Sequence, residues 1–450
     1  MVSQNLLLTA PIGRQLTKMA GPMALGIVAI QAFNLVDIFF IGLLGTEALA
    51  AISFTFPVTF VVISLAMGLG AGLSACLGQA LGAGNQQQAA LFTSHSLLLA
   101  LLLVCLLSVL GMLSIDPLFR LLGATEALLV LLHDYMLIWY LTMPLLVLPM
   151  VGNSAIRATG DTRTPSVVMT VAGLVNGLLD PLLIFGLGPF PELGIKGAAM
   201  ASACSWLMAS VVGIWLLWRR ERLLRWPLLQ PGLLFIHWRK LLQVAIPASF
   251  TNLLNPLSTA VLMMILAGLG TEVVAAYGAA SRIEALMLIA MMALSSVLAP
   301  FISQNTGAGQ HQRSRRALLQ SMRFAVGFQL GVFALLWVLA PWLADAFTDS
   351  QEVSRHLTFY LRLVPLGYGL QGCSMLLASA LNGLRVSSIS LLLNSIRLFG
   401  LLLPLAWLGS YWYGETGVFT GILIANILAG IIAATFAWWR FPWKIKQPIN

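Results

Sequence analysis

Two carboxylates stand where water should be scarce. Asp37 lies in QAFNLVDIFFIGLLG (31–45) and Asp180 in VAGLVNGLLDPLLIFGLG (171–188), both nearly unbroken apolar runs. A charged carboxylate at the centre of a bilayer costs at least about 2.5–3.5 kcal/mol on insertion scales. Such a group must be paired, hydrated or protonated, and loss of water favours the neutral form. That is the chemistry of a group that takes a proton from one side and releases it on the other. Gln31, Asn34 and Asp37 recur every three residues and form a polar stripe. Asn176 and Asp180 are four apart and share one helix face. No basic residue is an obvious partner for either acid, which favours titration over an ion pair. A protonated acid in a structural helix–helix hydrogen bond is the bland alternative. A sodium site of the same carboxylates and amide oxygens is also open. Asn153 either joins the cluster or caps its helix; Ser202, after GIKGAAMA, adds a hydroxyl or serves close packing.

Other candidates are fewer. Arg282, Glu284 and Arg397 lie in apolar runs of the second half, where a structural Glu284–Arg397 ion pair is expected. Gln31, Phe33, Asn34, Phe54, Asn394 and Met287 are candidates to line a cleft, with Phe56 and Trp139 as further wall residues. Met287 belongs to EALMLIAMMALSSVLAP (284–300), which offers either an adaptable surface or ordinary apolar packing. Gly68, Gly70 and Gly72 in MGLGAGLS read as close-packing positions, and the chain has no GxxxxGK[ST] to bind ATP. His133 and Asp134 are adjacent and point to different sides of a helix, so they make no acyltransferase centre. The five histidines have no metal-ligand spacing, and the four cysteines fall in apolar runs without a CxxC.

The elements that must hold these residues are membrane helices. Of 450 residues, 59% are hydrophobic and only 9% are charged, against roughly 45–50% and 25% in ordinary globular chains. Twelve spans are expected near 15–43, 49–78, 87–112, 128–152, 163–186, 194–218, 239–266, 274–303, 313–338, 354–383, 386–409 and 416–439. No cleavable signal precedes the first of them. One set of alternate loops carries nearly all the Lys and Arg, including Arg14, Lys18, Arg157, Arg219, Arg220, Arg313, Arg385, Arg440, Lys444 and Lys446. The positive-inside rule then puts both termini in the cytoplasm. The same rule accounts for the net charge of +9, which therefore calls for no nucleic-acid partner. The run RRERLLRWPLLQPGLLFIHWRK (219–240) reads as a cytoplasmic linker on anionic headgroups, with Trp226 and Trp238 at the interface.

The chain also repeats itself. At an offset of about 225 residues, GLLGTEALAA from Gly42 meets AGLGTEVVAA from Ala267, Pro22 meets Pro247, and Gln79 with the GAG at Gly82 meets Gln304 with the GAG at Gly307. Two six-span lobes follow: residues 1–218, a linker at 219–238, and 239–450. An even span number per lobe makes the repeats parallel, with a central cleft expected between them. Asp37 aligns with Leu262, and Asp180 with Leu403, so the two acids exist in the first lobe alone. A requirement of the scaffold would more naturally appear in both halves.

These features together resemble the multidrug and toxic compound extrusion (MATE) family, in its DinF-like branch. The resemblance rests on the two lobes, the basic linker, the GTE and GAG repeats, Pro22 fifteen residues before Asp37, and Asn176 with Asp180. It implies an all-α, twelve-span fold and a secondary exporter, not an enzyme. Amphipathic, often cationic compounds would leave by antiport with protons or sodium, from a monomer in the plasma membrane that uses no cofactor. The NorM-like branch has a glutamate in the seventh span; here ASFTNLLNPLSTAVLMMILAG (248–268) has no acid, which favours coupling through the first lobe. A lipid-linked-precursor flippase of the same superfamily would need several Arg or Lys in its cleft, and the predicted first-lobe spans hold them only near their ends, at Lys18, Arg163 and Lys196. Pro22 removes a backbone hydrogen bond and, flanked by Gly21 and Gly26, permits a hinge. Protonation of Asp37 is then expected to bend or shift the first span.

Overall fold

The computed structural model describes residues 2–225 and 231–439, and almost all of them are helical. The first seven spans are Ile12–Leu43, Thr46–Gly82, Gln86–Leu113, Glu126–Ala158, Arg163–Ile184, Ile195–Trp215 and Pro231–Ala267. The eighth is broken at Leu288 into Thr271–Met287 and Ile289–Gly307, and the ninth is His311–Phe347. The tenth joins Gln351–Leu363 to Tyr368–Gly383 through a 3₁₀ turn. The eleventh runs from Ser387 through a π-helical stretch, Ile396–Leu402, into the helix Leu403–Trp439. Gly414, at φ 59°, breaks that last helix into the end of span eleven and all of span twelve. A left-handed residue is strained for anything but glycine, so Gly414 supplies the turn. The count of twelve follows, and the chain is a multi-pass membrane protein.

The eighth span departs from the single helix expected over 274–303. Its halves bend by 48° without a proline at the break. The cause is a side chain entering the ladder: Gln329, buried on the ninth span, donates its Nε2 to the carbonyl of Met287 at 3.1 Å. A carbonyl satisfied from outside no longer needs its own helix.

Two compact units form. One is built mainly of Gly21–Ser249, the other of Asn5–Ala20 and the chain from Phe250 onward. The boundaries therefore fall inside the first and seventh spans, beside the repeat-related Pro22 and Pro247, and not in the linker at 219–238. The physical reason lies in packing. Leu241 and Ala245 of the seventh span belong to the first unit's core. Small residues let the backbones meet there: a Cβ on Gly72 would reach the Leu241 carbonyl at 2.8 Å, and one on Gly68 would strike Ser249. Gly70 is closed off in the same way by Ser154. Trp139 is buried in this core, edge-on to Tyr140 and Trp206, and so lines no cleft wall. The second unit centres on Tyr360, Tyr368 and Phe419, all fully buried.

The start of the linker is docked on protein. Arg220 pairs with Asp161 and donates Nη1 to Thr164 Oγ1 at 2.7 Å; the Arg225 amide donates to Ser94 Oγ at 2.9 Å. Trp238, expected at the lipid interface, is half-buried and donates Nε1 to the His95 carbonyl at 2.9 Å. A neighbouring acceptor claims the indole N–H that headgroups would otherwise take. Trp226 lies outside the described residues, as do Arg440, Lys444 and Lys446.

Burial alone would raise the Asp161 carboxyl. The Thr164 hydroxyl and amide, with the Arg220 guanidinium, outweigh it and hold the group below its ordinary value. A carboxylate depressed in this way contributes stability above its unfolded pKa and loses it as pH falls through the folded one. A nitroxide at position 225 should therefore stay immobilised from neutral pH downward and gain mobility only below about pH 4. Asp161→Asn should give the mobile spectrum already at pH 7, and an unchanged spectrum there would reject this role for the pair.

Candidate functional site

The first and fifth spans run side by side in the same direction, and their contacts keep register. Ser166 Oγ contacts Met23 Sδ at 3.6 Å, and a Cβ on Gly26 would lie 3.0 Å from Ser166. Further along, the Phe33 ring fills the space a side chain at Gly173 would need, and Val36 lies against Gly177. The next residues in that register are Asp37 and Asp180. Gly26 is thus a close-packing position as well as a neighbour of Pro22. Gly21 has nothing within 4 Å of where a Cβ would sit. The first span continues as one helix through Pro22. Phe33 is a knob between two helices of one lobe, which fixes the level of the acids.

Asp180 is fully buried. Its Oδ1 accepts from Asn176 Nδ2 at 3.2 Å, and the same amide lies 3.3 Å from Ser202 Oγ on the sixth span. Among the described residues, Asp180 Oδ2 and Asp37 Oδ1 are buried without a hydrogen-bond partner. The two acids are within electrostatic reach of each other. Tyr135, buried on the fourth span, feels both. Among the described residues, no ion pair involves Asp37 or Asp180. Lys196, in the first turn of the sixth span, is engaged by Asp134 at 3.1 Å.

A buried oxygen with no donor is costly on an ionised carboxylate. Gain of a proton converts it to a hydroxyl that can donate. The site is therefore built to differ between two protonation states. It does not lie at mid-helix. Asp37 is six residues from Leu43 and Asp180 four from Ile184, hence roughly 9 and 6 Å from those helix ends.

Tyr135 is the member that sequence reasoning missed. One signal was available: residues 1–218 hold only two tyrosines, Tyr135 and Tyr140. Asn153 does not belong with the acids. It is buried on the fourth span, eighteen residues from Tyr135 and so about 27 Å along the helix. Gln31 and Asn34 are exposed on the first span, and Phe54 packs against the first-unit core.

In the second lobe the expected Glu284–Arg397 ion pair does not form within 4 Å. Glu284 accepts from Tyr360 Oη at 2.9 Å and Gln371 Nε2 at 3.2 Å. Arg397 donates Nε to Asn394 Oδ1 at 3.2 Å and Nη2 to Asn255 Oδ1 at 3.1 Å. Neutral partners nearer at hand take both groups. Asn394 is further tied to the Thr251 carbonyl at 3.3 Å, which makes it a clamp on Arg397. Met287 is half-buried at the break in the eighth span.

A family model described as MatE matches the chain twice, over residues 22–182 and 247–408; each match begins at one of the repeat-related prolines. The chain is 48% identical to a protein of Shewanella oneidensis named "FAD transporter", over 94% of each chain. It is 26% identical to "Probable multidrug resistance protein YoeA" of Bacillus subtilis, over 97% of this chain and 95% of that one. Among solved structures, the Vibrio cholerae MATE transporter VcmN "in the bent form" aligns with a TM-score of 0.90 and 32% identity, over 97% of this chain and 98% of that one.

Proposed function

The chain belongs to the MatE family of transporters, and on that premise we propose a proton-driven exporter in which Asp37 and Asp180 carry the coupling proton. The observation that supports this most is the Asp180 environment. A fully buried carboxylate shares its level with Asp37, is touched by Asn176 and Ser202, and has no cationic partner among the described residues. An intramembrane acid without a cationic partner suits a group that must change charge during a cycle. As placed, Asn176 turns its NH₂ toward Asp180 and Ser202. That suits a carboxylate acceptor. Loop charge supports cytoplasmic termini in a plasma membrane. The acids then lie toward the outer face, where inward-moving protons arrive. Protonation would shift the first span about Pro22, as the alternating states of an exporter require.

For the cargo, the relative at 48% identity favours a flavin dinucleotide, FAD or a compound of its class. A cationic amphiphile is the second reading. It is favoured by a first lobe whose coupling site is purely acidic and by multidrug proteins among the more distant relatives. Inverted vesicles decide both questions when a proton gradient and a sodium gradient are imposed separately, with FAD and a cationic dye as cargoes. FAD uptake driven by the proton gradient is expected. Transport driven by sodium alone would overturn the coupling assignment, and uptake of the dye without FAD would overturn the cargo.

A further inference from the structure

Arg397 is a cation on a membrane span with no carboxylate within 4 Å among the described residues. Its planar fork is held from two sides by the amide oxygens of Asn255 and Asn394. Amide oxygens orient a guanidinium but do not neutralise it. The carboxylate within electrostatic reach, Glu284, is already occupied by Tyr360 and Gln371. The fork is therefore pre-set, with Nη1 left over among the described residues.

The surroundings add a second, independent observation. Arg397 and Asn394 line a cavity of about 30 Å³ inside the second lobe, together with Ser374, Ser390 and Leu401. Ser390 is 1% exposed, and its hydroxyl has no hydrogen-bond partner among the described residues. It stands one helical turn from Asn394 and two from Arg397, on the same face. Arg397 and Ser390 thus border one small space whose other walls are mostly apolar. The backbone is special there too: Ile396–Leu402 is π-helical, a form that recurs at functional positions because it widens the helix. The space is too small for a nucleotide but suits an oxygen the size of a water.

We propose that Arg397, clamped by Asn255 and Asn394 with Ser390 beside it, is a phosphate-binding subsite of the second lobe that takes one phosphoryl oxygen of the cargo's pyrophosphate. Guanidinium recognises phosphoryl oxygens through paired N–H donors, which ammonium cannot match. The inference rests on the reading that the cargo is a phosphorylated flavin. It accounts for an arginine in this lobe with no carboxylate within 4 Å, and for acids in the first lobe with no cationic partner, among the described residues: one set handles the anion and the other the proton.

The test uses the full-length protein in phospholipid-free detergent and measures binding of FAD, riboflavin and inorganic pyrophosphate. Wild type should bind FAD more tightly than riboflavin. Arg397→Gln should weaken FAD by about ten- to hundredfold, leave riboflavin unchanged, and abolish pyrophosphate binding. Arg397→Lys should fall between, and Ser390→Ala should cost a few-fold. Pyrophosphate bound by wild type and lost in Arg397→Gln, with no FAD binding, would keep the subsite and reject the flavin cargo. Equal FAD affinity in wild type and Arg397→Gln would overturn the subsite. So would an equal loss of FAD and riboflavin with a lowered melting temperature, the mark of a structural role. If the variants change only retained phospholipid, the arginine serves a lipid headgroup and the proposal is wrong.

Discussion

Asp180→Asn should abolish gradient-driven export, lowering it by at least about a hundredfold, while the protein still inserts and melts within a few degrees of wild type. Two opposing effects decide this. Asparagine keeps the volume of the side chain and an oxygen for the Asn176 amide, now at 3.2 Å, so packing survives. It also gives the unpartnered Oδ2 position a permanent N–H donor, which resembles the protonated acid. The stability change is therefore small, and the variant is fixed in one of the two charge states that the cycle must visit. Export from vesicles at matched expression is the measurement, and wild-type rates would remove Asp180 from the mechanism. Asp37→Asn should behave alike. The double variant should be no worse than either single one if the two acids act as a unit.

The second large effect is expected at Gly173, where no chemistry occurs. Gly173→Leu places a side chain where the Phe33 ring already lies. Leucine is the better helix former by about 0.5–1 kcal/mol. Overpacking a closed interface costs typically about 1–3 kcal/mol and outweighs that gain. The first and fifth spans must separate, and the register that brings Asp37 level with Asp180 is lost. Export should fall to near background, with a lowered melting temperature. Adding Phe33→Ala removes the knob and should restore much of both. Failure of that second change to restore anything would show that Phe33–Gly173 contact does not set the site. Full activity in Gly173→Leu alone would reject the register argument altogether.

Much of this protein is readable in its sequence. Hydropathy, loop charge and an offset repeat give the spans and lobes because each is a local property of the chain. The acids at Asp37 and Asp180 are visible for the same reason, as charges in apolar runs absent from the matching positions of the other half. Partner choice is not local. On paper Asn153 is a candidate beside the acids and Tyr135 goes unnoticed. Only the rise of the fourth helix, about 1.5 Å per residue, separates them by some five turns. Glu284 and Arg397 look like a pair by charge, yet hydroxyl and amide groups on neighbouring helices, and for Arg397 also Asn394 on its own span, reach them first. His95 and His237, scattered in sequence, meet in the interior with their Nδ1 atoms 2.9 Å apart. Trp139, a candidate wall residue by type, is claimed by the core. The break at Leu288 comes from a glutamine forty-one residues away and has no local marker. The sequence by itself determined which segments cross the membrane and which groups must be looked after there. The tertiary structure decided which neighbour looks after each. Helix formation is driven by the chain's own backbone and apolar surface, whereas a buried polar group is satisfied by whichever donor the packing of other helices brings within about 3 Å.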